Sequence, residues 1–150
     1  MNGKSIALPY WDHLLASGKN VHGISSDDAH ISEAHPHFNG GWIKVSAGGL
    51  SPERIMESIR KGAFFASTGP DFLDISWDGT TLSLKTTPCT FIRLAGGNGF
   101  ARFEFAENGE TITEASFDLS AIDDPKRKKL LRLEIESSSH LRAWSNTLFI

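Results

Sequence analysis

The chain has one cysteine, Cys89, so no internal disulfide can form. Its setting in Thr87-Pro-Cys-Thr90, at the entrance to an apolar run, marks it as buried filler rather than a reactive thiol. No secretory apolar segment stands near the start, because Pro9, Asp12 and His13 interrupt every apolar stretch there. No run approaches the length of a membrane span, so the expected setting is cytoplasmic, with no membrane partner. An excess of one charge is also lacking. Lys and Arg number 15 against 18 Asp and Glu, for a net charge of −3, and no overall basic field invites nucleic acid.

What the chain does have is core material. Its 150 residues are 39% hydrophobic and include 10 Phe and 4 Trp, enough for one ordinary domain or two small ones. Trp11, Leu14 and Leu15 recur at helical spacing after Pro9, and Gly18 stands where a C-terminal cap ends a short helix. Val21 to Ser26 reads as a buried strand. A loop runs through Gly40-Gly41, and Trp42 to Ser46 alternates as a second strand. Ser51-Pro52 is an N-cap followed by proline at the first helical position. Ile55, Met56 and Ile59 line one face of that helix, and Arg60-Lys61-Gly62 supplies a cationic last turn with a glycine stop. Phe64 to Thr68 makes another buried extended piece, which Gly69-Pro70 breaks. The domain boundary is placed there, dividing the chain into residues 1–70 and 71–150.

From Asp71 the period becomes two. Leu73, Ile75 and Trp77 alternate with Asp74, Ser76 and Asp78, and Asp78-Gly79 signals a tight hairpin into Leu82 and Leu84. Further strands are expected at Thr90–Leu94, Phe100–Ala106, Thr111–Leu119, Leu130–Glu136 and Leu141–Ile150, with Phe103 and Phe105 on a core face opposite Arg102 and Glu104. Gly96-Gly-Asn-Gly99 joins two strands and precedes no helix, so it reads as a hairpin loop rather than a phosphate cradle. The basic run Lys126-Arg-Lys-Lys129 is flanked by Asp123, Asp124 and Glu134 and reads as a solvated turn. About seven strands separated by turns predict an antiparallel β-sandwich. No nucleophile with a base stands out in this half, which reads as an accessory or binding module.

Metal-type ligands at useful spacing occur in Gly23-Ile-Ser-Ser-Asp-Asp-Ala-His30. In extended chain, residues two apart share a face and each residue rises roughly 3.3 Å, so Asp28 and His30 can converge on one ion while Asp27 faces the other way. A carboxylate oxygen beside an imidazole nitrogen suits zinc, manganese or iron. On spacing alone, a solvated turn with a chance histidine competes with that reading. His35-Pro-His37 repeats the spacing in a polar loop with no acid between the rings and reads as surface histidines. His13, His22 and His140 are isolated and read as packing or surface groups.

Trp11-Asp-His-Leu-Leu-Ala-Ser-Gly18, Val21-His-Gly-Ile-Ser-Ser-Asp-Asp-Ala-His30 and Gly41-Trp-Ile-Lys-Val45, taken in order, resemble the closing section of the PHP family of metal-dependent phosphoesterases. Leu50-Ser-Pro-Glu-Arg-Ile-Met-Glu-Ser-Ile-Arg-Lys-Gly62 and Phe64-Phe-Ala-Ser-Thr-Gly-Pro70 are similar to the helix and strand that follow the family's last metal motif. Ala143-Trp-Ser-Asn146 resembles the terminal strand of members with an appended β domain, which read Asn-Pro where this chain has Asn146-Thr147. The resemblance implies an α+β chain, a partial β/α barrel remnant followed by an antiparallel β-sandwich. It also implies a phosphoester substrate and divalent metals, with Asp28 and His30 as one ligand pair. The family's remaining ligands, beginning with a His-x-His, precede this section. The chain is therefore expected to be a C-terminal fragment with little turnover alone.

A non-catalytic β-sandwich binding or interaction module is the alternative reading. A truncated barrel leaves strand edges that either fold against the sandwich or pair with a second copy, and a two-fold homodimer is the expected solution.

Overall fold

The structure, a computed structural model, describes residues 7–27, 29, 38–122 and 130–148. Helix α1 (Leu8–Ala16) starts one residue before Pro9, whose missing N–H costs nothing in a first turn. Helix α2 (Pro52–Arg60) carries the expected signals. Ser51 Oγ accepts the Arg54 N–H, and Gly62, at φ +73°, closes the helix by donating to the Ile59 carbonyl while Ala63 donates to Ser58. Only glycine adopts that left-handed conformation without strain. Ile55 and Ile59 are half-buried, whereas Met56, expected on the same face, is exposed.

Nine strands follow among the described residues: β1 (Trp42–Val45), β2 (Phe64–Ser67), β3 (Phe72–Trp77), β4 (Thr81–Cys89), β5 (Phe91–Ala95), β6 (Ala101–Phe105), β7 (Ile112–Asp118), β8 (Arg132–Glu136) and β9 (Arg142–Ser145). They form a six-stranded sheet in the order β1-β2-β9-β8-β5-β6 and a three-stranded sheet in the order β3-β4-β7. Every pairing is antiparallel. The core lies between the sheets, where Leu82 and Leu84 of β4 meet Ile92 and Leu94 of β5 and Leu133 and Ile135 of β8, all at most 2% exposed. Each such side chain contributes about 1.5–3 kcal/mol through burial. Cys89 is fully buried in this core, its thiol donating to the Ile112 carbonyl at 3.3 Å. Burial pushes that thiol above its usual pKa and keeps it protonated.

Two features depart from the sequence reading, and one sheet crosses the boundary it places at residue 70. Residues 21–26 form no strand; their polar groups go to side chains instead, with Val21 O accepting from Trp11 Nε1 and Gly23 N donating to Asn146 Oδ1. The boundary at residue 70 falls inside one sheet, because β2 pairs with β9 through Phe65↔Ser145, Ala66↔Trp144 and Ser67↔Ala143. The sandwich's own terminal strand thus takes the inner edge of β2, and β1 continues the sheet outward. Phe103 and Phe105 lie outside the core, 47% and 64% exposed. β6 is the last strand of its sheet, and the residues on its inner face, Arg102 and Glu104, are themselves exposed. Glu104 and Arg102 stand there beside Ile92 and Leu94, and the rings turn outward.

Adjacent residues of a strand point to opposite faces. Phe65 meets Phe72 edge-on in the core, 5.3 Å between centroids, whereas Phe64 faces outward under the His22 ring at 5.8 Å. Helix α1 lies over the same outer face, with Trp11 beneath the Arg132 guanidinium at 5.2 Å and Asp12 paired with Arg132. The stretch that leads to Asp28 therefore rests on the outer face of the large sheet. None of the described helices is long and apolar enough to cross a membrane.

Candidate functional site

The residues before Asp28 are held at both ends. At the near end, Gly23 N donates to Asn146 Oδ1 at 2.9 Å, while Asn146 Nδ2 donates to the carbonyls of Gly62 (3.1 Å) and Phe64 (3.0 Å). One nearly buried amide thus joins the start of the candidate motif, the end of α2 and the first residue of β2. Asparagine suits the task because it offers an acceptor and two donors from one planar group.

At the far end, Asp27 closes a loop. Its Oδ1 accepts from Gly40 N at 2.7 Å and Gly41 N at 2.8 Å, and its Oδ2 accepts from Asn39 N at 3.0 Å. Asn39 sits at φ +59°, and three successive N–H groups form a concavity that suits an anion. Gly41 has to lack a side chain, since a Cβ would stand 2.1 Å from Ser25 Oγ and 3.1 Å from the Ser26 backbone. The two limbs therefore touch at Ser25–Asp27 and Asn39–Gly41, and the sequence between them includes Asp28, His30, His35 and His37. All four of those residues lie outside the described ones. Among the described residues no group of three or more His, Cys, Asp or Glu side chains could hold a metal.

The other histidines separate by role. His22 packs on Phe64. His13 is exposed on α1. His140 is exposed and its Nδ1 lies 2.7 Å from Glu136 Oε1; that hydrogen bond, with Arg142 as a second partner, holds the Glu136 carboxyl below its usual pKa.

A second constellation occupies the outer face of the large sheet. Arg93 Nη1 reaches Glu134 Oε2 at 3.3 Å, Glu134 Oε1 receives Arg132 Nη2 at 2.8 Å, and Arg132 also pairs with Asp12. Arg132 and Glu134 are nearly fully buried, with Arg132 clamped between this ladder and the Trp11 ring. Beyond Arg93 the face becomes aromatic. Arg93 stands 5.8 Å over Phe103, which stacks on Phe105 at 6.0 Å, and Phe91 lies 5.8 and 5.2 Å from the two. Sequence reading passed over this set. A signal for it exists in Arg132-Leu-Glu-Ile-Glu136, where charged residues alternate with core residues at period two.

A cleft of about 320 Å³ opens where the ends of β1, β2 and β9 meet β3, lined by Lys44, Phe64, Phe65, Ile75, Asn146 and Leu148. The Lys44 ammonium is committed to Asp71 at 2.5 Å, so the cleft offers space rather than chemistry. The chain matches no protein-family model, no curated protein and no solved structure.

Proposed function

We propose that this chain is the C-terminal section of a PHP-type metal-dependent phosphoesterase, in which Asp28 and His30 supply one ligand pair for a divalent zinc, manganese or iron ion. In this reading residues 1–70 are the last part of a β/α barrel and residues 71–150 its appended β-sandwich, working in the cytoplasm on a phosphoester. The observation that carries it is the engagement of Asp27. With three backbone N–H groups on its carboxylate, Asp27 is occupied as the stem of the loop. The neighbouring Asp28 and His30 form a mixed oxygen and nitrogen donor set that fits such an ion. The Asn146 junction gives a second support, since it joins three stretches on which the resemblance rests.

A divalent ion at such a site supplies Lewis acidity and neutralises charge on phosphate oxygens. The chain's own task is positional: Asn146 and Asp27 hold the two ends of the motif, and Asp28 and His30 present their donors from the loop. Two ligands leave an ion mostly hydrated, so weak binding and little turnover by the chain alone are expected.

The test is metal uptake. The chelator-treated protein, held at equilibrium with manganese or zinc in an excess sufficient to load a weak site, should take up one ion per chain, and Asp28→Ala or His30→Ala should abolish uptake without lowering the melting temperature. Uptake that survives both substitutions, or no uptake by the parent chain, overturns the reading.

The outward rings of Phe91, Phe103 and Phe105 favour a second reading, a non-catalytic β-sandwich binding or interaction module. Metal-free protein whose melting temperature rises with an added ligand would support it.

A further inference from the structure

Strand β6 ends the six-stranded sheet, and among the described residues its one neighbour is β5. Gly96 N donates to Phe100 O at one end of this hairpin and Ala106 N to Thr90 O at the other. Antiparallel ladders alternate, so Arg102 and Glu104 direct their main-chain groups toward β5. The N–H and C=O groups of Ala101, Phe103 and Phe105 consequently point away from the sheet, along an open edge.

The side chains on this edge have a symmetry. Arg102 and Glu104, both exposed, flank Phe103 on the inner face, while Ala101 and Phe105 flank it on the outer face. We propose that β6 is a self-pairing edge that adds the β6 of a second copy of this chain, antiparallel, about a two-fold axis through Phe103. That register sets Phe103 opposite Phe103, Ala101 opposite Phe105, and Arg102 opposite Glu104, the last two pairs occurring twice.

The outward main-chain groups of Ala101, Phe103 and Phe105 then meet their counterparts in about six hydrogen bonds. Arg102 and Glu104 fall at non-hydrogen-bonded positions, where side chains approach most closely, and opposite charges face each other there. Phe103 and Phe105 of both copies form one continuous aromatic strip on the outer face.

Charge selects both the register and the strand. An axis through Arg102 would set two arginines opposite each other, and an axis through Glu104 two glutamates, so of the three registers centred on Arg102, Phe103 or Glu104 the one through Phe103 sets opposite charges face to face. The other described edge strands lack this alternation of opposite charges within the strand: the charged residue of β1 is Lys44, that of β3 is Asp74, and those of β7, Glu114 and Asp118, are both acidic. The surface joined is smaller than that of a standard stable complex, so the dimer is weak and concentration-dependent. It does not depend on the metal-site reading and does not use β1 or β2.

Sedimentation of the full chain, from a few micromolar to about one millimolar, tests this. The weight-average mass of the parent chain should rise with concentration from 16.4 kDa toward twice that value. Arg102→Glu and Glu104→Arg should each stay monomeric, since each sets like charges opposite each other. The double swap R102E/E104R should regain the dimer, and mixing the two single variants should give a heterodimer, because one strand then carries two acids and the other two bases. Far-ultraviolet circular dichroism confirms that each variant is folded, and the mixture serves as a positive readout independent of the doubly substituted chain. A parent chain that stays monomeric throughout, single variants that associate like the parent, or a swap and a mixture that both stay monomeric would overturn the proposal.

Discussion

Asn146 Oδ1 accepts the N–H of Gly23, 123 positions earlier in the chain, at 2.9 Å. The same side chain donates to Gly62 O and Phe64 O, so its loss would strand one donor and two acceptors in a site where the residue is 5% exposed. Each unsatisfied buried group costs about 1–3 kcal/mol before relaxation. Asn146→Ala should therefore lower stability by roughly 2–4 kcal/mol in urea unfolding. Asn146→Asp should be at least as harmful, because a carboxylate keeps the acceptor for Gly23 but faces two carbonyl oxygens it cannot donate to. A loss under about 0.5 kcal/mol for both would remove Asn146 as the junction of these segments.

Asp27 and Asp28 are adjacent, chemically identical and expected to behave oppositely. Asp27→Ala removes the acceptor for Asn39, Gly40 and Gly41 N–H groups and should cost about 1–2 kcal/mol, as loss of a helix N-cap does. Asp27→Asn should cost less, since one oxygen remains. Asp28→Ala should leave the urea midpoint unchanged while abolishing metal uptake. Equal midpoint shifts for the two alanine variants would contradict a division into stem and ligand.

Local signals were legible, and non-local ones were not. Ser51-Pro52 and Gly62 bracket α2 because caps act within one turn, and Asp78-Gly79 turns a hairpin because Asp78 Oδ1 accepts from Thr80 and Thr81 N–H. The β2–β9 pairing joins residues far apart in sequence, and no property of Phe64–Ser67 names its partner. Residues 21–26 read as a strand since apolar content cannot tell a ladder from a segment tied by Trp11 and Asn146. The period of two in β6 assigns Phe103 and Phe105 to one face but not to the inner one; the position of β6 at the sheet edge decides that. Of the candidate site, the Asp27 stem was missed because its donors lie 12 to 14 residues later.

The edge position of Phe103 has a measurable consequence. At 47% exposure, Phe103→Ala should cost under about 1.5 kcal/mol, whereas Ile135→Ala, at 1% exposure between the two sheets, should cost about 2–5 kcal/mol. Chemical unfolding of the two variants checks the order. A larger loss at Phe103 would return that ring to the core.

Glu136 sets a pH dependence whose sign follows from its partners. Its carboxyl is held below the usual value first by the His140 hydrogen bond and also by Arg142, so folding favours the charged form. That stability is fully present above the unfolded pKa and is lost as pH falls through the lower folded value. Between about pH 5 and pH 3 the parent chain should lose more melting temperature than Glu136→Gln, which has no proton to take up at this position. Parallel curves for the two proteins would show that the carboxylate contributes nothing through ionisation.

The buried ladder on the outer face predicts a strong non-additivity. Arg132 is 4% exposed between Glu134 and Asp12, and Arg132→Met would leave Glu134, 6% exposed, with Arg93 at 3.3 Å as its remaining described ionic partner. A buried charge stripped of a partner costs about 3–5 kcal/mol, while replacing both members of a buried pair with apolar groups is often neutral. The double variant R132M/E134L should therefore be more stable than R132M alone. Its leftover charges can solvate, because the side chains of Asp12 and Arg93 are 49% and 33% exposed. Methionine also keeps an apolar stem against the Trp11 ring. Urea unfolding is the suitable measurement, since guanidinium salt would screen the ions being compared. If the two single losses simply add in the double variant, Arg132 and Glu134 act as independent residues and the ladder is a geometric coincidence.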